Sequence, residues 1–374
     1  MDRLLPENLW STTHRFVMGL EAMQRSSEQR AIANVQTELD CIVLENKSVP
    51  ITRNEREYDN SYVCSPYTAY VRYARDELGL IKNALLRRAL RAVIGMADIA
   101  LRWAQINQTV SLNNWLFSTN IVPDWQNDTI DYFTNKLSHA NPQHSISIRS
   151  LNPYSNADLM ARLQQKGWLM LPARQVYLFP KQGEAHGDWW RKNNVKNDQR
   201  LLKNTSLQLV TPQEHRGEDF KAIESVFKQL FIDKHSAYNP QFTAAYFEFL
   251  HSHRLVEFFS FRDISGRIVA SIGLFTQNEL ITAPIVGYDT SLPQSLGLYR
   301  LLMAQLLKVT HERGQTLNLS SGAGHFKRQR GGVPVIEYTA LYVNHLPWQQ
   351  RWLQSGFARL LNRFGPAFLQ KHEI

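Results

Sequence analysis

Between residues 206 and 345 the chain spells an order of elements that few folds satisfy. Three apolar runs, LVEFFSFRD, RIVASIGLFT and ELITAPIVGYDT, are separated by Asp263-Ile264-Ser265-Gly266 and by Gln277-Asn278. Polar turns this short close hairpins, so the runs predict three antiparallel strands. Upstream stand a strand, SLQLVTP, and two helices. EDFKAIESVFKQLFIDKHS carries Phe220, Ile223, Val226, Phe227, Leu230 and Phe231 at helical spacing, and FTAAYFEFLHSH follows it. Downstream, LGLYRLLMAQLLKVTHERG predicts a long helix that stops at Gly314. QTLNLSS then reads as a strand, GHFKRQRGG as a short helix or turn, and VIEYTALYV as a last strand. The expected class is α/β (α+β).

The upstream part also alternates strands and helices. DCIVLEN (40–46) is its first strand candidate, after a polar helical segment reaching to about residue 38. Residues 65–108 are largely helical, TVSLNNWLFSTN (109–120) reads as a strand, and NDTIDYFTNKLSHA (127–140) as a helix capped by Asn127 or Asp128. HSISIRSL (144–151) alternates as a half-buried strand does. NADLMARLQQKG (156–167) is a short helix, and WLMLPARQVYLFP (168–180) an extended pair, or one strand with a break expected at Pro172. The resulting division is 1–39 helical, 40–186 one half, 187–204 a basic bridging helix, 205–345 a second half, and 346–374 an amphipathic C-terminal helix.

The 374 residues are 43% hydrophobic and 20% charged, enough apolar material for a sizeable core. Cys41 and Cys64 stand alone, which argues against a disulfide framework or a zinc site. His251 and His253 lack a third ligand nearby, so no metal is expected. With no signal-peptide pattern and no spanning apolar run, the expectation is a cytoplasmic protein without a membrane span. The net charge of +9 points to an anionic partner or serves solubility.

The element order resembles the GNAT acyltransferase fold. Two such halves, the N-terminal one diverged and the two packed together, resemble the tandem arrangement of Fem-type peptidyltransferases and CelD-like acyltransferases. The resemblance covers roughly residues 40–345. It implies an acyltransferase in which the loop opening the long helix holds the pyrophosphate of an acyl-coenzyme A. Here that loop is Gln294-Ser295-Leu296-Gly297-Leu298-Tyr299, against a family pattern Q/R-x-x-G-x-G/A. Gln294 and Gly297 match, and Tyr299 replaces the last small residue. The physical basis is general, since unpaired N–H groups and the dipole at a helix start attract phosphate. The resemblance also implies that the strands Ile281–Tyr288 and Thr316–Ser321 splay, with an N–H near Val286 or Gly287 polarising the acyl carbonyl.

SSGAGHFKRQRGGVPVIEYTALYV (320–343) places a lysine and two arginines between two strands. Phe326-Lys327 stands where Fem-type enzymes carry a Phe-Lys pair, which implies that Lys327 stabilises developing negative charge. Arg328 and Arg330 would hold a phosphate or carboxylate of the acceptor. The alternative is a solvated surface turn. His325 is the first choice for the base that deprotonates an amine. Tyr288 and Tyr299 could protonate a leaving thiolate. Glu337 or Tyr338, and Tyr288 or Asp289, would face the cleft, one of each pair by strand alternation.

The expected activity is transfer of an acyl group from acyl-coenzyme A or a carrier-protein thioester to an amine or hydroxyl of an anionic small molecule. Two alternatives stand beside it. One is an aminoacyl-tRNA donor, as in Fem-type enzymes, and the other a non-catalytic GNAT-like module that binds a partner. No DNA partner is expected.

Overall fold

The computed structural model describes residues 9–26, 30–233 and 235–373. They form two compact units. One holds Asn34–Arg174, the N-terminal helix and residues 336–373, and the other holds Gln175–Val335 with residues 30–33. The chain leaves the first unit along one strand and returns to it along another.

In the first unit α1 (Leu9–Arg25) precedes a hairpin of β1 (Glu38–Leu44) and β2 (Lys47–Asn54). The expected N-terminal helix is described from Leu9 and ends at Arg25, so it stops short of residue 38, residues 30–37 being non-helical; residues 1–8 lie outside the described ones. The hairpin turn is Glu45-Asn46, both left-handed at φ 50° and 61°. Glutamate seldom takes that conformation, which is why β2 is not apparent from the sequence. A π-helical turn and α2 (Ala74–Glu77) lead to α3 (Ala84–Trp103). Then come β3 (Thr109–Leu112), α4 (Asn127–Ala140), β4 (Ser145–Leu151), α5 (Ala157–Gln165) and the start of β5 (Leu169–Phe179).

Three local expectations are corrected here. The strand expected over 109–120 stops at Leu112, because asparagine side chains then replace the ladder. Asn113 donates to the Ile121 carbonyl (2.8 Å), and Asn120 accepts from the Trp115 N–H (3.1 Å). Helix α4 takes no side-chain cap, its capping position being Gln126 rather than Asn127 or Asp128. The break expected at Pro172 is also absent, since β5 runs through it.

The second unit continues β5 and then adds α6 (Asn193–Asn204), β6 (Gln208–Val210), α7 (Gly217–Lys228), α8 (Ala244–Ser252), β7 (Glu257–Arg262), β8 (Ile268–Gln277) and β9 (Leu280–Tyr288). The long α9 (Leu298–Arg313) is followed by β10 (Thr316–Asn318), α10 (Gly324–Gln329) and β11 (Val333–Tyr342), which re-enters the first unit before α11 (Trp348–His372). Phe220, Phe227, Phe247 and Phe258 interlock beneath α7 and α8. Leu301, Leu302 and Leu306 of α9 are fully buried on the sheet. Gly287 has a steric reason: a Cβ there would stand 2.5 Å from the backbone nitrogen of Phe227.

Each unit has a mixed sheet with the same pairing. In the first, β1/β2 and β2/β3 are antiparallel, β3 and β4 are parallel, and β4 is antiparallel to β11. In the second, β7/β8 and β8/β9 are antiparallel, β9 and β10 are parallel, and β10 is antiparallel to β5. The parallel step is made by a crossover helix both times, α4 and α9, as parallel neighbours require.

Candidate active site

Strand β10 pairs with β9 over three residues only, ending at Asn318 opposite Thr282. Beyond that, β10 turns to β5: the Leu319 N–H donates to the Tyr177 carbonyl (2.9 Å), and the Tyr177 N–H to the Ser320 carbonyl (3.1 Å). Among the described residues, no strand pairs with the edge of β9 from Ala283 to Tyr288 on that side. A register shift against β8 spans Ala283 and Pro284, where the proline has no ladder N–H to lose. The Asp289 N–H donates to the Val269 carbonyl on β8 (2.8 Å). Strand alternation then turns the Gly287 N–H to β8 and the Val286 N–H to the open edge. Of Val286 and Gly287, it is the Val286 N–H that points away from β8.

The loop after β9 is built from its own side chains. Asp289 accepts from the Ser291 N–H (3.0 Å) and hydroxyl (2.5 Å) and pairs with Arg267 (3.0 Å). These partners hold its carboxyl below the usual carboxylate range even though burial opposes them. Asp289 is therefore committed to the loop. Gln294, Ser295 and Leu296 form one tight turn, with Gln294 and Ser295 exposed. Gly297 follows in the left-handed region at φ 63° and caps α9 without any side-chain acceptor. Leu298, which opens the helix, is buried. The first N–H groups of this sixteen-residue helix have no partner within it.

Tyr299 turns into the fold and packs on Phe326 (5.0 Å between centroids) and Tyr288 (6.2 Å). Burial pushes its phenol up. Tyr288 ends β9, half-buried.

The basic stretch, expected to hold an anionic acceptor or to form a solvated turn, is largely turned inward. The Lys327 side chain is buried and donates to the carbonyls of Leu319 (2.8 Å), Ser320 (3.2 Å) and Ser321 (2.7 Å), with its ammonium over the Tyr177 ring. It pins the turn that ends β10, where Ser320, Gly322 and Ala323 are all left-handed. Arg330 is buried too. It donates to Asp198 on α6 (2.5 Å) and to the Phe326 carbonyl (3.0 Å), and lies over the Phe326 ring. Asp198, fully buried, also accepts from Arg300 (2.8 Å). Arg328 is half-buried and donates to the Tyr177 hydroxyl (3.3 Å). His325 is exposed beside the Gln329 amide.

Glu337, expected to bind substrate, belongs to the first unit. Its carboxylate is buried there on Arg174 (2.8 Å). Asp198 and Tyr177 organise the site and were not singled out from the sequence. Asp198 sits in a polar helix with nothing local to mark it, and its arginines lie more than a hundred residues away. Among the described residues, no group of three or more His, Cys, Asp or Glu is placed to hold a metal.

A sequence model described as acetyltransferase (GNAT) domain matches residues 191–328, from the approach to α6 through α10. The chain carries a GNAT acetyltransferase domain. It is a transferase. The C-terminal domain (DUF2156) of a putative lysylphosphatidylglycerol synthetase from Agrobacterium fabrum shares the fold. It is 10% identical at a TM-score of 0.51, over 95% of this chain and 94% of that one. L-PGS from Bacillus licheniformis is 12% identical, TM-score 0.46, over 67% and 83%. FemX is 9% identical, TM-score 0.46, over 62% and 79%. No curated protein matches the sequence. The open β9 edge and the start of α9 both fall within the GNAT domain.

Proposed function

We propose that the protein transfers an acyl group from a thioester, acyl-coenzyme A or a carrier-protein thioester, to an amine or hydroxyl of an anionic acceptor. The observation that carries this reading is the parting of β10 from β9, which leaves the Val286 N–H directed at an open edge. A carbonyl lying along that edge accepts from Val286 where negative charge develops in the transition state. The phosphates of the donor lie at the start of α9, over Gln294, Ser295 and Gly297, where uncapped N–H groups and the helix dipole favour anions. Tyr288 gives its proton to the leaving thiolate, and His325 takes one from the acceptor amine. Lys327 acts by positioning, because its ammonium fixes the turn that keeps β10 away from β9. Arg328, half-buried beside the Tyr177 hydroxyl, meets the anionic acceptor.

A second reading keeps the chemistry and takes an aminoacyl-tRNA as donor. Tyr299 in place of a small residue at the helix start, and the net charge of +9, favour it.

The test is thermal melting with coenzyme A, acyl-coenzyme A and aminoacyl-tRNA. A ligand at a hundred times its dissociation constant adds about 2.7 kcal/mol. Coenzyme A is expected to raise the melting temperature, and Ser295→Glu, an exposed change that puts negative charge on the loop, is expected to abolish the rise. A response to aminoacyl-tRNA alone selects the second reading. Stabilisation by coenzyme A that survives Ser295→Glu moves the donor away from α9.

A further inference from the structure

Two helices of the first unit turn large apolar side chains to solvent. On α3, Leu85, Met96, Ile99 and Trp103 are between 65% and 77% exposed. Their spacing puts them on one face, away from the side that buries Leu101. On α11, Trp348, Trp352, Leu360 and Phe364 are spaced by four, eight and four residues and are between 50% and 69% exposed. The helices meet near the end of α3, where Gln354 donates to the Ala104 carbonyl (3.0 Å) and Gln350 to the Gln105 side chain (2.8 Å). A surface helix ordinarily turns polar residues to water, so a run of this kind marks a contact surface.

The exposed charge on the two helices is mainly positive. Arg88, Arg91 and Arg102 are exposed on α3, and Arg351, Arg359 and Arg363 on α11. Helix α11 contains no acid, and the one acid of α3, Asp98, is taken by Arg75 and Arg102. Beside the first half of α3 lies a recess of about 420 Å³ lined by Arg75, Arg87, Arg88 and Arg91. Among the described residues Arg88 and Arg91 form no ion pair. Tryptophan and aliphatic side chains rimmed mainly by arginines suit the boundary of an anionic bilayer. A second copy of the chain is a poor occupant, since a two-fold contact would set these cations against each other. Among the described residues no helix is long and apolar enough to cross a membrane, so the surface would rest on a bilayer rather than span it.

We propose that the α3–α11 face docks on an anionic lipid bilayer, with the arginine-lined recess receiving a lipid phosphate. The inference is independent of the acyl-transfer reading. It is tested by co-sedimentation with phosphatidylglycerol–phosphatidylcholine vesicles and with phosphatidylcholine alone, using wild type, Trp103→Ser/Trp352→Ser and Arg88→Gln/Arg91→Gln. All four positions are exposed, and unchanged melting temperatures show that the variants fold. Wild type is expected on the anionic vesicles, with tryptophan emission shifted to the blue. Removing two surface cations at about fivefold each is expected to weaken binding about 25-fold, and the tryptophan pair is expected to remove the emission shift. Failure to bind anionic vesicles, or binding by both variants indistinguishable from wild type, overturns the proposal. So does a dimer in sedimentation velocity that Trp103→Ser dissociates, which gives the face to a second copy. Suppression of vesicle binding by inorganic phosphate at unchanged ionic strength would assign the recess to a free anion instead.

Discussion

Asp198 is the residue on which the second unit's charge arrangement turns. One fully buried carboxylate receives Arg330, itself buried, and Arg300, whose side chain is 45% exposed. In Asp198→Asn, Arg330 keeps its charge and loses its counter-ion. Removing one partner of a buried pair costs about 3–5 kcal/mol. The lower end is expected, because Arg300 can turn to solvent. Denaturant unfolding reads this directly, and a loss under about 1 kcal/mol would mean that Arg330 also escapes to water. The basic stretch 327–330 stands out in the sequence, yet a string of cations does not reveal which of them fold inward. Lys327 finds three carbonyls and Arg330 a carboxylate from α6, and neither partner set is visible in the spacing.

Among the elements, α11 shows how two glycines in one helix differ. A Cβ on Gly365 would stand 2.9 Å from the ring of Pro172 on β5, whereas nothing lies within 4 Å of a Cβ on Gly356. Gly365→Leu is expected to push this part of the helix off the strand and to cost about 1–3 kcal/mol as overpacking. Gly356→Ala is expected to stabilise by about 0.5–1 kcal/mol, from backbone entropy alone. Opposite shifts in denaturation midpoint are the expected result, and two losses of equal size would contradict the packing argument. Most elements follow from periodicity and turn chemistry, as α4, β4, α9 and the β7–β8–β9 meander do. The exceptions share a cause. β2 follows a left-handed Glu45, and residues 113–120 exchange a ladder for asparagine side chains. Both depend on conformations that residue type alone does not announce.

For the whole molecule, histidines with depressed imidazoles contribute to the response to acid. Burial holds His215, His251 and His345 below the ordinary imidazole range. His215 spends its ring on the Thr211 carbonyl (3.0 Å) and the Ser260 hydroxyl (2.8 Å). A depressed imidazole means that the unfolded chain takes up protons first, so stability falls as pH drops below about 6.5. Glu77 acts the other way. Burial pushes its carboxyl up to about 7, so the folded state holds a proton that the unfolded state has released above about 4.3. Stability carried by Glu77 is present at low pH and lost as pH rises toward 7. Denaturation midpoints measured between about pH 7.5 and pH 5.5 are expected to fall less steeply in His215→Asn, and more steeply in Glu77→Gln. Parallel profiles for all three proteins would remove these groups from the acid response. The sequence by itself determined the order of elements, the meander and crossover of the second unit, and a glycine-capped helix start suited to an anion. These rest on local periodicity and local turn chemistry. The tertiary structure alone decided that β10 leaves β9 after three residues, that Val286 rather than Gly287 faces the open edge, that Lys327 and Arg330 are buried, and that α3 and α11 leave apolar stripes to solvent. Each of those depends on partners far apart in the chain, and a sequence pattern records which face of an element is apolar without recording what covers it.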